Sequence, residues 1–584
     1  MMLNWIDKIG DWNPQLLREL KGRLKFLNVA IAVVFSLLLQ LVVVLCQFRD
    51  FPDNRYSLIG TYCRLRQVYE QRQTEAYRQS DQFKIAEIND FLSNNFCLQN
   101  EIDWQLWWRD HWEYIFFSFS VIFVFTLLVA GTYLLINDLA KEERRGTLNF
   151  IRLSPQSETS VLTGKLLGVP SLIYLVVLVA LPLHFWAGHS ANIAFGNIFS
   201  YYAILVANCI FFYSAALLFG LVSRWFSGFQ PWLGSGAVLF FLFLTMVTAL
   251  SYGNSLNNAG TWLRLFNPWD VTNYLFPNLF HVYRGSPLKE LQFFYVSLGT
   301  NTVTIIGFHL FNFGLCTYGI LQALKRCFRN PQASIISKGQ SYVVVCFSQV
   351  MMWGFTLQHY NLDEHIERNF VFLGLYNLVL LFSLIAILSP HRQDVQDWAR
   401  YRHQEVSSHK SVWQDLIWSE KSPALVAIAI NLTIVSIPWL VWITFTSVFN
   451  TDRTPNWAGD NFDKFKLLLA LALSISIILI YATIAQLMLL LKTPKRSFWA
   501  LGTISAVMFL PPIILELIGM SLVKHPTIWL FSTFPWVAIQ YSGTTTIFMA
   551  FLAQLSVLAL LNFQLTKQVR LAGESATKAL LAGR

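Results

Sequence analysis

The residues best placed to do chemistry in this 584-residue chain stand together in one polar stretch, residues 141–168, KEERRGTLNFIRLSPQSETSVLTGKLLG. It holds Lys141, Glu142, Glu143, Arg144, Arg145, Arg152, Glu158 and Lys165. Charge at this density cannot lie in hydrocarbon, yet a long apolar run ends near Ile136 and another begins near Val169. The stretch is therefore a loop at one membrane face, and its five Lys and Arg residues assign that face to the cytoplasm. Ser154 followed by Pro155 reads as a helix start, with a hydroxyl cap and a proline at the first helical position. Gly164 would loosen or end that helix. Such a segment offers recognition of another protein by charge and a short helix, not bond making.

Catalytic constellations are missing elsewhere. There is no GxxxxGK[ST], so the chain has no P-loop with which to hydrolyse ATP, and there is no GxSxG. No Cys/His cluster has metal-ligand spacing, and neither a metal nor a cofactor is expected. His184 and His189 flank Phe185-Trp186 at an expected membrane edge and read as interface residues. Glu516 is the one carboxylate clearly inside an apolar run, just after Pro511-Pro512. It is a candidate contact on a substrate path, although it is near enough to the run's end to reach water. Ion-coupled carriers and membrane-embedded enzymes need several ionisable groups at depth.

These residues must be positioned by membrane spans. The chain is 55% hydrophobic, 16% aromatic and only 13% charged, with mean hydropathy +0.46, which excludes a soluble globular class. About twelve runs have the length needed to cross a bilayer. They fall near residues 26–48, 113–136, 169–188, 196–222, 231–252, 295–323, 341–357, 370–389, 424–447, 467–491, 497–522 and 544–565. Backbone satisfaction in lipid makes the class an all-α polytopic transmembrane bundle. The net charge of +10 follows topology rather than nucleic-acid binding: of 43 Lys and Arg, 27 fall on the side shared by both termini. Outside the long loop 49–112, only eight fall on the other side. No cleavable signal peptide is expected ahead of the first run.

Residues 14–27, PQLLRELKGRLKFL, place Leu16, Leu20, Leu24 and Leu27 at helical spacing, with Arg18, Lys21 and Lys25 on another face. This is an interfacial helix on the inner leaflet. The outer loop 49–112 is helical in its middle, and its Cys63 and Cys97 could form a disulfide in an oxidising compartment. Trp104, Trp107, Trp108 and Trp112 suit an aromatic belt, with a sugar-binding platform as the alternative. Residues 261–280 are broken by Pro268 and Pro277 and read as interfacial or re-entrant. Within them, WLRLFNPWDVTNY (262–274) aligns without a gap with WLFSTFPWVAIQY (529–541). The shared positions include Trp262/Trp529, Pro268/Pro535, Trp269/Trp536 and Tyr274/Tyr541. Both copies precede the last span of their half. Each half also has a long polar loop between its second and third spans, the later one being 390–423. Two parallel six-span repeats follow, related by an axis along the membrane normal.

The stretch 141–168 resembles the cytoplasmic coupling loop of ABC transporter permeases of the type 2 exporter class. Glu143, Arg144, Gly146, Thr147, Leu148, Pro155, Gly164 and Lys165 stand in that family's pattern with no gap, and Arg145 accompanies them. The helix before the first span is similar to the family's connecting helix. The resemblance implies a permease subunit that forms the translocation path, is not itself an enzyme, and is driven by a separate ABC ATPase subunit in two copies. It also implies an exported substrate of unknown identity, a multi-pass place among cell-membrane lipids, and both termini in the cytoplasm. The organisation is then an interfacial helix at 1–25, a first repeat at 26–340 with its coupling loop at 137–168, a divergent second repeat at 341–565, and a tail at 566–584. The second loop lacks Gly-Thr-Leu and keeps only Lys421 and Pro423 of the pattern. A twelve-span secondary transporter and a membrane-embedded glycan or lipid transferase are the alternatives.

Overall fold

The computed structural model describes residues 8–47, 51–52, 55–79, 82–223, 228–250, 258–276, 287–357, 363–403, 411–449, 464–533, 535–539 and 541–573. Pro277 and the last part of the expected tail, 574–584, lie outside them. The chain opens with α1 (Pro14–Arg23), set by an Asn13 cap and Pro14 at its first turn. The long apolar helix α2 (Phe26–Gln47) follows. Residues 55–103 then build a small cap from α3 (Arg66–Arg78) and α4 (Gln82–Asn94). Cys63 and Cys97 are disulfide-bonded, and Leu58, Leu92 and Ile102 pack around them.

The next helix, α5, runs unbroken from Trp104 to Arg144 over 41 residues, with a π turn at Thr126–Ala130. Its length, about 60 Å at 1.5 Å per residue, is twice a hydrocarbon core of about 30 Å. The span expected at 113–136 is thus extended at both ends. Of the four tryptophans expected as a belt, Trp107 is buried and stacks on His111 at 3.8 Å, Trp104 packs on the disulfide-bonded cap, and Trp108 is exposed. The loop that follows carries α6 (Thr147–Arg152) and α7 (Glu158–Gly168). Then come α8 (Ser171–Ser190), α9 (Phe195–Val222) and α10 (Gln230–Leu250). Two short helices, α11 (Thr261–Arg264) and α12 (Trp269–Leu275), precede α13 (Thr302–Arg329). Neither short helix is long enough to span.

The later helices are α14 (Lys338–Thr356), α15 (Asp363–Leu388), α16 (Arg392–His403), α17 (Val412–Trp418), α18 (Leu425–Phe449) and α19 (Lys464–Leu489). After them come α20 (Arg496–Leu517), the short α21 (Pro526–Trp529) and α22 (Pro535–Ile539), and finally α23 (Thr544–Gly573). The architecture is an all-α polytopic helical bundle. Among the described residues, eleven helices are long and apolar enough to cross a membrane. The twelfth expected span corresponds to α14, where Lys338, Gln340 and Gln349 dilute the apolar character.

The chain divides into two compact units: Met1–Asn254 with Leu265–Lys289 and Gly299–Arg329, and Ser255–Arg264 with Glu290–Leu298 and Asn330–Arg584. In the first unit α9 packs most closely on α13, α8 on α2, and α5 receives α8, α9 and α10. In the second, α19 packs most closely on α23, α14 on α18, and α15 contacts α18 and α19. Taken in chain order, the fourth and sixth, first and third, and second and third long helices are partners in both. The fifth differs: α10 packs on α5, whereas α20 packs on α19. Pro268 caps α12 and Pro535 begins α22, so both aligned segments fold as two short helices with proline at the head of the second. Their tryptophans are placed differently, Trp269 buried and Trp536 partly exposed.

Candidate functional site

The polar loop is held from beneath by a buried ionic junction between α1, α5 and α7. Lys165, on α7, is 0% exposed. Its ammonium lies 2.7 Å from Asp138 Oδ2, 2.7 Å from Glu142 Oε2 and 3.7 Å from Glu19 Oε1. Arg23 on α1 reaches Asp138 Oδ1 at 2.6 Å and Glu19 Oε2 at 3.3 Å, and Arg18 reaches Glu142 Oε1 at 3.2 Å. Gln15 Nε2 donates to Glu19 Oε1 at 2.9 Å. Three carboxylates therefore meet three cations, and the cluster is neutral. The carboxylate oxygens approach one another within 4.8 Å, a spacing that would suit a metal ion, but the Lys165 ammonium already sits among them. Burial alone would lower the pKa of this ammonium; Asp138, Glu142 and Glu19 outweigh that and hold it above its ordinary value.

The backbones approach closely enough for this because α7 is glycine-faced. A Cβ on Gly164 would lie 2.8 Å from the Leu16 amide nitrogen, and one on Gly168 would lie 2.5 Å from Glu19 Cβ. Gly164 thus sits inside the helix as a contact surface for α1, and does not loosen or end it. Asn13 completes the seam. Its Oδ1 accepts from Leu16 N at 2.9 Å, while its Nδ2 donates to Ser160 O at 2.8 Å and Thr163 Oγ1 at 3.3 Å. One side chain caps α1 and pins it to α7. The helix start also moves: α7 is capped by Ser157, whose Oγ accepts from Ser160 N at 3.2 Å. Ser154-Pro155 instead forms the turn before it, with Ser154 Oγ donating back to Ile151 O.

Above the junction the loop is exposed. Gly146 adopts φ +71°, the left-handed conformation that ends α5 and turns the chain into α6. Thr147 Oγ1 donates to Glu142 O at 3.2 Å. Leu148 is buried and anchors α6. Arg144, Arg145, Thr147 and Pro155 are exposed, and Glu143 is partly so. Phe150 and Leu153 are 79% and 86% exposed. The eight-position motif, with Arg145 beside it, therefore splits. Gly164, Lys165 and Leu148 are internal, while Arg144, Arg145 and Pro155 face outward beside Phe150 and Leu153. Sequence reasoning missed Phe150 and Leu153; the signal available was two large apolar residues at i and i+3 within a charged loop.

The other sites fall as follows. Glu516 is exposed on the last turn of α20. His189 is exposed and stacks on Phe195, as an interface residue would. His184 is not at an interface: it is fully buried, with Nδ1 2.7 Å from Tyr202 Oη and Nε2 3.0 Å from Ser120 Oγ, and it stacks on Phe116 at 4.2 Å. It pins α8 to α5 and α9. Trp262 packs against Phe347 and Tyr376, Trp269 Nε1 donates to Leu242 O, and Tyr274 Oη donates to Gly299 O. Trp529 Nε1 donates to Met520 O, Pro535 is buried, and Tyr541 is exposed.

The family model described as "ABC-2 family transporter protein" matches residues 19–323. That is more than half of the chain, and the chain belongs to this family, whose members are ABC transporter permeases. The match takes in Glu19, the junction, the loop and most of α13, and stops before the second unit's long helices. No curated protein and no solved structure matches the chain.

Proposed function

We propose that this protein forms the translocation path of an ABC-type exporter and is driven by a separate ATPase subunit docked on the loop 137–168. The observation that carries this reading is the buried Lys165 cluster. A push on the exposed Arg144, Arg145, Phe150, Leu153 and Pro155 meets a loop helix tied by ions and glycine contacts to α1 and to the end of α5, the helix that contacts α8, α9 and α10. Arg with exposed apolar neighbours suits the kind of contact that fixes protein recognition.

Both termini and the loop belong in the cytoplasm of the cell membrane, with 49–112 outside. The 27-to-8 charge asymmetry and a Cys63–Cys97 disulfide, which persists in oxidising compartments, support that orientation. The shared helix pairings of the two units support two six-span repeats, at 26–340 and 341–565, and two ATPase copies. The aromatic spans, nearly free of charged residues, lean towards a lipid-like or amphipathic substrate. Glu516 stands as a candidate contact on the path. The test is co-reconstitution with the ATPase in liposomes: ATP hydrolysis should require the permease and fall on reversal of Arg144 and Arg145. Hydrolysis unaffected by that reversal would remove the coupling role.

A further inference from the structure

On the bilayer-facing side of the first unit, an apolar groove between α5 and α10 ends at basic side chains that no described carboxylate neutralises. We infer that it holds one anionic phospholipid, taken from the leaflet on the side of loop 137–168, with an acyl chain in the groove and the phosphate at Arg144 and Lys141. The inference goes beyond the permease reading above: this lipid is a resident of the bundle, not the exported substrate, and its binding needs no ATPase.

The groove follows from the π turn of α5. At Thr126–Ala130 the helix is wound more widely, and α9 holds that turn from one side. Tyr213 Oη donates to Leu127 O at 2.8 Å, and Gly131 leaves no room for a Cβ against the Tyr213 ring. Away from α9, the small residues Ala130 and Ser235 leave a groove of about 420 Å³, walled by Phe125, Val129, Tyr133, Trp232 and Leu239. Its lining is apolar. Ser235 is buried and spends its hydroxyl on Pro231 O at 2.7 Å. Trp232 and Leu239 are 63% and 46% exposed, which on a membrane span means exposed to lipid. At the end nearest the loop, Tyr133 and Trp232 meet edge to face at 5.2 Å, the ring types that settle at headgroup level.

The charge lies just beyond that pair. Arg144 follows Tyr133 on the same face of α5, about three helical turns on. Its Nε donates to Ala140 O at 3.2 Å, and its Nη1 would lie 3.7 Å from a Cβ on Gly228. The guanidinium therefore lies over the start of α10, one turn before Trp232. Lys141 is exposed beside it, one turn earlier on α5. Among the described residues no carboxylate pairs with Lys141 or Arg144, whereas Arg18, Arg23 and Lys165 are all committed to the junction. A guanidinium and an ammonium at the polar end of an apolar groove match a phosphate that carries acyl chains.

The experiment titrates purified, delipidated permease, without ATPase, with phosphatidylglycerol or phosphatidylcholine of identical chains and counts bound lipid by native mass spectrometry. One phosphatidylglycerol should bind wild type about tenfold tighter than phosphatidylcholine or more, as two basic residues at a lipid surface would give. Val129→Trp and Leu239→Trp, which fill the groove from either helix, should each lose that lipid. Lys141→Gln/Arg144→Gln should bind both lipids alike. Location is read on wild type, with no substitution. Phosphatidylglycerol carrying a photoreactive acyl chain should label residues 125–133 and 232–239, and unlabelled phosphatidylglycerol should suppress this where phosphatidylcholine does not. Equal affinity of wild type for the two lipids would overturn the inference. So would labelling spread evenly over α2, α20 and α23, the spans least buried in the bundle, which is ordinary bilayer contact. A preference for phosphatidylglycerol kept by both filling variants would overturn it too, leaving a headgroup contact with no chain site. The ATPase is absent and the filling variants keep both arginines, so failure here leaves the docking reading standing, and failure of docking leaves this one.

Discussion

Lys165→Met removes the one cation that all three carboxylates of the junction share. The methionine stem fills similar volume, so the perturbation is chiefly electrostatic. Glu19, Asp138 and Glu142 would keep only Arg18 and Arg23, and Arg18 is half exposed. Taking one partner from a buried ionic cluster costs about 3–5 kcal/mol, because the remaining charges are left uncompensated. At about 1.4 kcal/mol per decade, the equilibrium for releasing α1 from α7 and α5 should shift by roughly two to three and a half orders of magnitude. The spans should hold, since their packing does not depend on this cluster. Hydrogen exchange in nanodiscs is the assay: amides of residues 14–23 and 158–168 should exchange about 100-fold faster or more, with α9 and α13 unchanged. Lys165→Met/Glu142→Gln, which restores charge balance, should recover part of the protection. Exchange within threefold of wild type in Lys165→Met, or a loss spread over the whole bundle that the second change does not rescue, would refute the reasoning.

Other outcomes follow from the same geometry. Gly164→Ala should force a Cβ against the Leu16 backbone and destabilise α1 docking by about 1–3 kcal/mol, seen as loss of cross-linking between cysteines introduced on α1 and α7. Asn13→Ala removes a cap and the bonds to Ser160 and Thr163, and should cost about 1 kcal/mol at the cap alone, read by exchange at residues 14–17. The Lys165 ammonium is held above its ordinary value, so the stability it contributes is fully present below the unfolded pKa and is lost only as pH rises through the higher folded one; burial raises Glu142 in the same cluster, so protection of α1, corrected for intrinsic exchange, should decline as pH climbs through the raised Glu142 value and decline again only above about pH 10. A cysteine introduced at Gln156 should be labelled only from the cytoplasmic side, and labelling from outside intact cells would reverse the topology.

The bundle was legible in the sequence because hydropathy alone sets span length and lipid forbids alternatives to helix. The motif of the loop was also legible, but its division of labour was not. Lys165 and Gly164 read as surface positions because they sit in a polar run, and only the approach of α1 makes them internal. That approach depends on Asn13 and Glu19, nearly 150 residues away in the chain, and no local pattern encodes it. Asp138 and Glu142 were hidden for a related reason: the expected span stopped at Ile136, whereas the helix continues to Arg144 and carries them beneath the loop. His184 looked interfacial beside Phe185 and Trp186, and its burial comes from Ser120 and Tyr202 on other helices. The second loop was legible as polar, but its lysine anchor comes from Lys338, outside the loop altogether.

The central claim is that the exposed rim of the first loop holds an ATPase while the buried cluster beneath it transmits the load. Its most direct measurement is ATPase retention and ATP hydrolysis by the purified complex carrying Arg144→Glu/Arg145→Glu, with Lys165→Met in parallel. The account predicts that the rim variant loses ATPase from the complex, whereas the Lys165 variant keeps ATPase bound but loses permease-dependent stimulation. Full retention and stimulation in both would contradict it and leave the loop as a solvated connection between two helices.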